Sequence, residues 1–139
     1  MIEQTLVMLK PSGVPFFQEA VELINGLGLE IADEQLLILS EDQTRDHYSK
    51  YVNEPFFHEI LDMTKNPVWP ILVTGENAIE LIRTKFMPIF REKHQKDITD
   101  NACHCSDPTE NPKEECKRHF GENGIVPMWR KKHHLAKAA

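Results

Sequence analysis

The sequence contains no apolar run long enough to span a bilayer, which excludes a transmembrane helix. It has no excess of basic residues: 16 Lys and Arg against 22 Asp and Glu give a net charge of −6. That balance argues against general nucleic-acid binding, and no specific nucleic-acid partner is expected. Cysteine is scarce. Cys103, Cys105 and Cys116 form an odd set in one short stretch, a poor disulfide framework, so free thiols or metal ligands are the better readings. The N-terminus lacks a signal-peptide pattern, because Lys10 and Pro11 interrupt a hydrophobic stretch far too short for an h-region, and a cytoplasmic location is expected. There is no internal repeat. At 139 residues the chain can bury one sizeable core, so a single domain over 1–139 is expected.

The apolar run Thr5 to Leu9 reads as a buried strand stopped by Lys10-Pro11-Ser12-Gly13. Phe17, Ala20, Val21, Ile24 and Leu27 then recur at helical spacing, with Pro15 suited to the first turn and Gly26 and Gly28 to the end. Leu29 to Leu39 reads as a second strand, interrupted by Asp33, Glu34 and Gln35 in a way that suggests an edge or bulge. Ser40 to Gln43 has the S-x-x-Q form of a capping box, which predicts a helix over Asp42 to Tyr51. Another helical pattern starts at Pro55.

Val68 to Val73 reads as a third strand in which Pro70 prefers an edge position or a bulge. Asn77 to Phe86 is helical in spacing, and Pro88 to Asp100 is polar and irregular. Ala102 to His104 reads as a short strand. Asn111-Pro112 starts a last helix running to Phe120, and residues 121–139 form a tail with no apolar periodicity. Strands alternating with helices predict an α/β (α+β) layered fold, with helices covering one sheet.

Asn101-Ala102-Cys103-His104-Cys105-Ser106-Asp107 resembles the N-x-x-H-G-S-D signature of nucleoside diphosphate kinases. Leu6 to Pro11 resembles that family's opening strand and phosphate-binding lysine. His47-Tyr48 followed by Pro55-Phe56-Phe57, then Gly75 to Ala78 followed by Arg83, and finally Glu115, continue the likeness in order over most of residues 1–120. Each piece is weak alone: Lys10 reads as a strand-end charge, Arg83 as a helix-surface charge and Glu115 as half of a capping arrangement. Their collinearity gives the resemblance its weight.

The resemblance implies a ferredoxin-like antiparallel sheet covered by helices, a homo-oligomer, and ping-pong transfer of a γ-phosphate from a nucleoside triphosphate to a diphosphate. It implies that His104 carries the phosphoryl group, Glu115 orients the imidazole, Tyr48 supports the histidine or a phosphate, and Lys10 and Arg83 neutralise phosphate charge. Asn101 is expected on the ribose and Phe56 on the base, with Phe57 in the core. Mg²⁺ is expected to bridge the phosphates, with no metal ligand from the protein.

Three departures stand out. Cys105 replaces the glycine after the histidine and is expected to intrude on the phosphates; Ser12 replaces the acid of K-P-D; and the segment from Met87 to Asp100 is shortened, losing a phosphate-facing arginine. Arg91, Lys93 and Lys96 are candidate substitutes. Two other readings are a non-catalytic nucleotide-binding or regulatory protein of the same fold, and an interaction module stabilised by zinc on Cys103, Cys105, Cys116 and His119.

Overall fold

The computed structural model describes residues 2–120, with the side chains of Glu110 and residues 117–119 left undescribed; the sequence-predicted tail, 121–139, lies outside. Four strands build one sheet: β1 (Ile2–Leu9), β2 (Glu30–Glu34), β3 (Trp69–Glu76) and β4 (Cys103–Cys105). Their order is β2-β3-β1-β4 and every neighbouring pair is antiparallel. This is the expected ferredoxin-like arrangement. β1 lies inside the sheet because Leu6, Val7, Met8 and Leu9 are all buried and need cover on both faces.

Alternation along the strands sorts the core. Val7, Leu9, Ile71, Val73, Cys103 and Cys105 point to one face. There they meet Ala20 and Ile24 of α1 (Phe17–Gly26), then Ala78, Ile82, Phe86 and Phe90 from the chain after β3. On the other face Met8 meets Tyr48, Phe57 and Ile60 around α2 (Glu41–His47) and α3 (Phe57–Met63). Leu6 and Leu72 meet Cys116 and Phe120 from the last helix, so helices cover both faces.

The capping box at Ser40 forms, with Gln43 N–H donating to Ser40 Oγ and Ser40 N–H to Gln43 Oε1. α2 is shorter than predicted: it ends at His47, and a 3₁₀ turn, Ser49–Tyr51, follows. The second strand also proves short. β2 ends at Glu34 after a register shift between Ile31 and Asp33, and only Leu37 pairs again, opposite Val68. Pro70 sits in the interior strand β3 rather than at an edge. Its carbonyl accepts from Gln35 N–H just past the end of β2, and since a strand residue's N–H and C=O point the same way, its missing donor faces the place where that ladder stops.

The segment after β3 differs most from expectation. α4 (Ala78–Leu81) passes through one π-helical turn, Ile82–Phe86, into α5 (Met87–His94), where an irregular stretch was predicted. Pro88 has no N–H for the carbonyl of Thr84, and the widened turn lies where that rung is lost. Phe86 and Phe90, one turn apart and fully buried, stack at 5.1 Å and hold both sides of the junction to the sheet. α6 (Pro112–Phe120) closes the described chain, its start capped by Asn111 Oδ1 accepting from Glu114 N–H at 3.3 Å. Among the described residues no helix is long and apolar enough to cross a membrane.

Candidate active site

His104 lies opposite Met8 in the β1–β4 pairing, so alternation turns its ring away from the Cys103 and Cys105 side chains and toward α2 and α6. Its Nε2 lies 2.7 Å from Oε2 of Glu115, whose side chain is 10% exposed. An ionised carboxylate only accepts, so Nε2 carries the proton and Nδ1 keeps its lone pair. The His47 ring meets the His104 ring edge-on at 4.8 Å, and the Tyr48 ring lies 6.4 Å from it.

Two cavities meet at His104. The larger, about 970 Å³, is walled by Lys10, Phe56, Asn101, Arg91 and Tyr48; the smaller, about 430 Å³, by Arg83, Arg91, His47, Tyr48 and Glu115. Both arginines are fixed by the edge of β4. Ala102 and Ser106 direct their backbone groups to β1, through Lys10 N–H to Ala102 O and Ser106 N–H to Leu6 O, so Cys103 and Cys105 present their carbonyls outward. Arg91 donates to the Cys103 carbonyl from Nε at 3.2 Å and Nη2 at 2.9 Å, and Arg83 Nη1 donates to the Cys105 carbonyl at 3.2 Å.

Lys10, at the end of β1, is 8% exposed and donates from Nζ to the Thr99 carbonyl at 3.0 Å. Burial, with the neighbouring Arg91 charge adding to it, pulls its pKa down to about 8. Burial pushes the Tyr48 phenol upward, and its hydroxyl is buried without a hydrogen-bond partner in the described protein. Asn101 Oδ1 is likewise buried and unsatisfied. Buried polar atoms in folded proteins normally find partners, so two orphans in one cavity wall mark a place where a ligand can supply them. Phe56 is 39% exposed in that wall while Phe57 is buried, as the sequence reading expected.

Ser12, the departure from K-P-D, holds the shortened segment in place. Its N–H donates to Asp100 Oδ1, its hydroxyl donates to the Asp100 carbonyl, and its Oγ accepts from Ala102 N–H. Ala102, a non-glycine residue at φ 76°, is held by this latch, and Gly13 is required beside it because a Cβ there would lie 2.2 Å from the Ala102 carbonyl oxygen. Asp97 Oδ1 accepts from the N–H groups of Thr99 and Asp100 and tightens the same turn. Sequence reading missed Thr99, Asp100 and the place of His47 against the ring of His104. The first two carry no local signal, since their partners are about 90 residues away in the chain.

The site is therefore a histidine with one nitrogen fixed and one free, beside a lysine and two arginines, at the inner end of a cleft. Over the chain as a whole, the family model described as nucleoside diphosphate kinase matches residues 3–125. The chain belongs to the nucleoside diphosphate kinase family. The chain is 30% identical over 142 residues to the nucleoside diphosphate kinase of Archaeoglobus fulgidus, covering 94% of this chain and 93% of that protein. It is 31% identical over 137 residues to that of Picrophilus torridus, covering 90% and 99%. The fold matches the solved structure of a halophilic nucleoside diphosphate kinase from Halobacterium salinarum in complex with CDP, with a TM-score of 0.77 at 22% identity over 91% of this chain and 93% of that one.

Family membership sets aside the zinc-module reading, and the geometry gives the reason. Cys103 and Cys105 point to the α1 and α5 face while Cys116 lies with Leu6 and Phe120 on the other, so the sheet separates the proposed ligands; the side chain of His119 lies outside the described residues. The thiols behave as small core hydrophobes. Cys105, 3% exposed, turns its sulfur to the core side, 3.9 Å from the Cys103 sulfur and away from the ring of His104, although the residue also borders the smaller cavity.

Proposed function

We propose that this protein transfers the γ-phosphate of a nucleoside triphosphate to a nucleoside diphosphate with His104 as the carrier. The observation that supports it above others is the Glu115 carboxylate on Nε2, which leaves the lone pair of Nδ1 as the nucleophile. Nδ1 attacks the γ-phosphorus, the bond to the β-phosphate oxygen breaks, and the diphosphate leaves. A second diphosphate then reverses the step. Charge that develops on the ring is met by Glu115, and charge on the phosphate oxygens by Lys10, Arg83 and Arg91.

Arg91 takes the place of the arginine lost with the shortened segment. Of the three candidates it alone borders both cavities; Lys96 borders the larger one, and Lys93 pairs with Glu19 3.7 Å away. The nucleoside lies along the larger cavity, its base against Phe56, a ribose hydroxyl donating to Asn101 Oδ1, and the Tyr48 hydroxyl donating to a phosphate oxygen. Mg²⁺ suits this site because the nucleotide brings most of its oxygen ligands, with Asp107 and Glu114 in the smaller cavity's wall available to its water shell. It supplies charge neutralisation between phosphates.

We also propose one domain over 1–139, with 121–139 as its tail, acting in the cytoplasm as a homo-oligomer. The test of the carrier is incubation with γ-labelled ATP and Mg²⁺, in search of an acid-labile, base-stable phosphoenzyme. His104→Ala abolishes that label while leaving the circular dichroism and melting curve unchanged. The same labile label on the folded variant rules His104 out.

A further inference from the structure

His47, His104 and Glu115 offer two imidazole nitrogens and a carboxylate oxygen that all lie within 4.8 Å of one another. They share the wall of the smaller cavity, whose opening to solvent gives an ion a way in. Glu115 is 8% exposed and uses only Oε2 on His104; its Oε1 is buried with no hydrogen-bond partner in the described protein. A buried carboxylate oxygen with nothing to accept from is short of a positive partner.

We propose that these three side chains form an inhibitory site for a divalent transition metal, of which Zn²⁺ suits the ligands best. Two imidazoles and one carboxylate are a common three-ligand set for zinc, leaving its fourth position to water or to a phosphate oxygen. Mg²⁺ does not compete well for nitrogen ligands. Bonds of about 2.0–2.1 Å to zinc put neighbouring ligand atoms about 3.3 Å apart, so the set closes by rotation of the His47 side chain, while His104 and Glu115 at 2.7 Å already lie close enough.

The consequence for catalysis follows from the tautomer. A metal on Nε2 takes the lone pair there, so the imidazole proton passes from Nε2 to Nδ1. Nδ1 then has no lone pair to offer phosphorus. No proton is released, no bond to phosphorus forms, and the ring is held neutral and unreactive until the metal leaves. The inhibitory part rests on His104 being the carrier; the metal site does not.

The test uses chelator-treated full-length protein titrated with Co²⁺ and then with Zn²⁺. Co²⁺ gives one site per chain, visible as d–d absorption without a thiolate charge-transfer band, and Zn²⁺ displaces it. His47→Ala weakens Co²⁺ binding at least tenfold while still forming phosphoenzyme. Added Zn²⁺ prevents phosphoenzyme formation in the wild type and far less in His47→Ala. A thiolate band, or equal Co²⁺ affinity in wild type and His47→Ala, overturns the site. Stoichiometric binding that leaves phosphoenzyme formation untouched overturns the inhibition. Failure to form phosphoenzyme before any metal is added counts instead against His104 as the carrier and leaves the optical titration to decide the site.

Discussion

Lys10 keeps an ammonium group where only 8% of the residue meets water, and the resulting pKa of about 8 makes its charge sensitive to mildly alkaline pH. In the proposed mechanism the ammonium faces the phosphates below that value, and above it the contact is lost. Affinity for a nucleoside diphosphate should therefore fall as pH rises from 7 to 9.5, by up to about tenfold per pH unit beyond the pKa, and Lys10→Arg should flatten the profile. For folding the sign is reversed. Between about 8 and the ordinary 10.5 the unfolded chain holds the proton more tightly, so this residue's contribution to stability increases with pH across that window. Urea unfolding at pH 7.5 and 9.5, for wild type and Lys10→Met, checks that direction.

Glu115→Gln replaces a charge-assisted hydrogen bond with a neutral one and no longer fixes the tautomer. Turnover should drop roughly ten- to a hundredfold, in line with about 1.5–3 kcal/mol for hydrogen bonds to charged groups, while a slow phosphoenzyme still forms in rapid-quench measurements. Lys10, His104 and Glu115 were singled out in the sequence by the order in which motifs that are weak alone follow one another. The Ser12–Asp100 latch was not, since 88 residues separate two ordinary side chains whose meeting depends on β1 lying beside β4.

At the level of elements, β4 consists of three residues, yet its outer carbonyls set the position of both guanidinium groups. Arg91→Ala uncaps the Cys103 carbonyl and, in the proposed mechanism, removes a phosphate contact. By analogy with the loss of one transition-state donor, exchange turnover should fall about 10² to 10³-fold, with a smaller effect on diphosphate affinity. Lys93→Ala should stay within about twofold of wild type because Lys93 faces Glu19 on α1. Steady-state exchange on both variants separates them, and equal turnover in the two would remove Arg91 from the site.

The helix that carries Arg91 escaped the sequence reading for a physical reason. The stretch from Pro88 to Asp100 read as polar and irregular, and among residues 88–100 only Phe90 and Asp100 are buried, so little apolar periodicity was available. The π-helical turn takes up the rung that Pro88 cannot make, and Phe86 with Phe90 secures the junction. The capping box at Ser40 was legible because both of its partners lie within four residues.

Over the whole molecule, element types other than α5 were largely readable, whereas the strand order was not, since neither propensity nor spacing says which strand pairs with which. One buried side chain reports on that order. Ser106, fully buried, accepts from Leu6 N–H at 3.0 Å across 100 residues of chain. Ser106→Ala leaves that N–H unsatisfied and should cost about 1–3 kcal/mol, read from urea unfolding, with Ser106→Thr recovering part of it. The same long span has a consequence for biosynthesis. Lys10 is made early, yet His104 and Glu115 lie near the far end of the described chain, so β3 leaves the ribosome before β4, the outer partner of β1. A nascent chain that has not yet released α6 from the ribosome lacks the Glu115 carboxylate that orients the His104 imidazole. If His104 is the carrier as proposed, unfinished chains lack the oriented histidine, and competence for transfer comes only once the last described helix has docked.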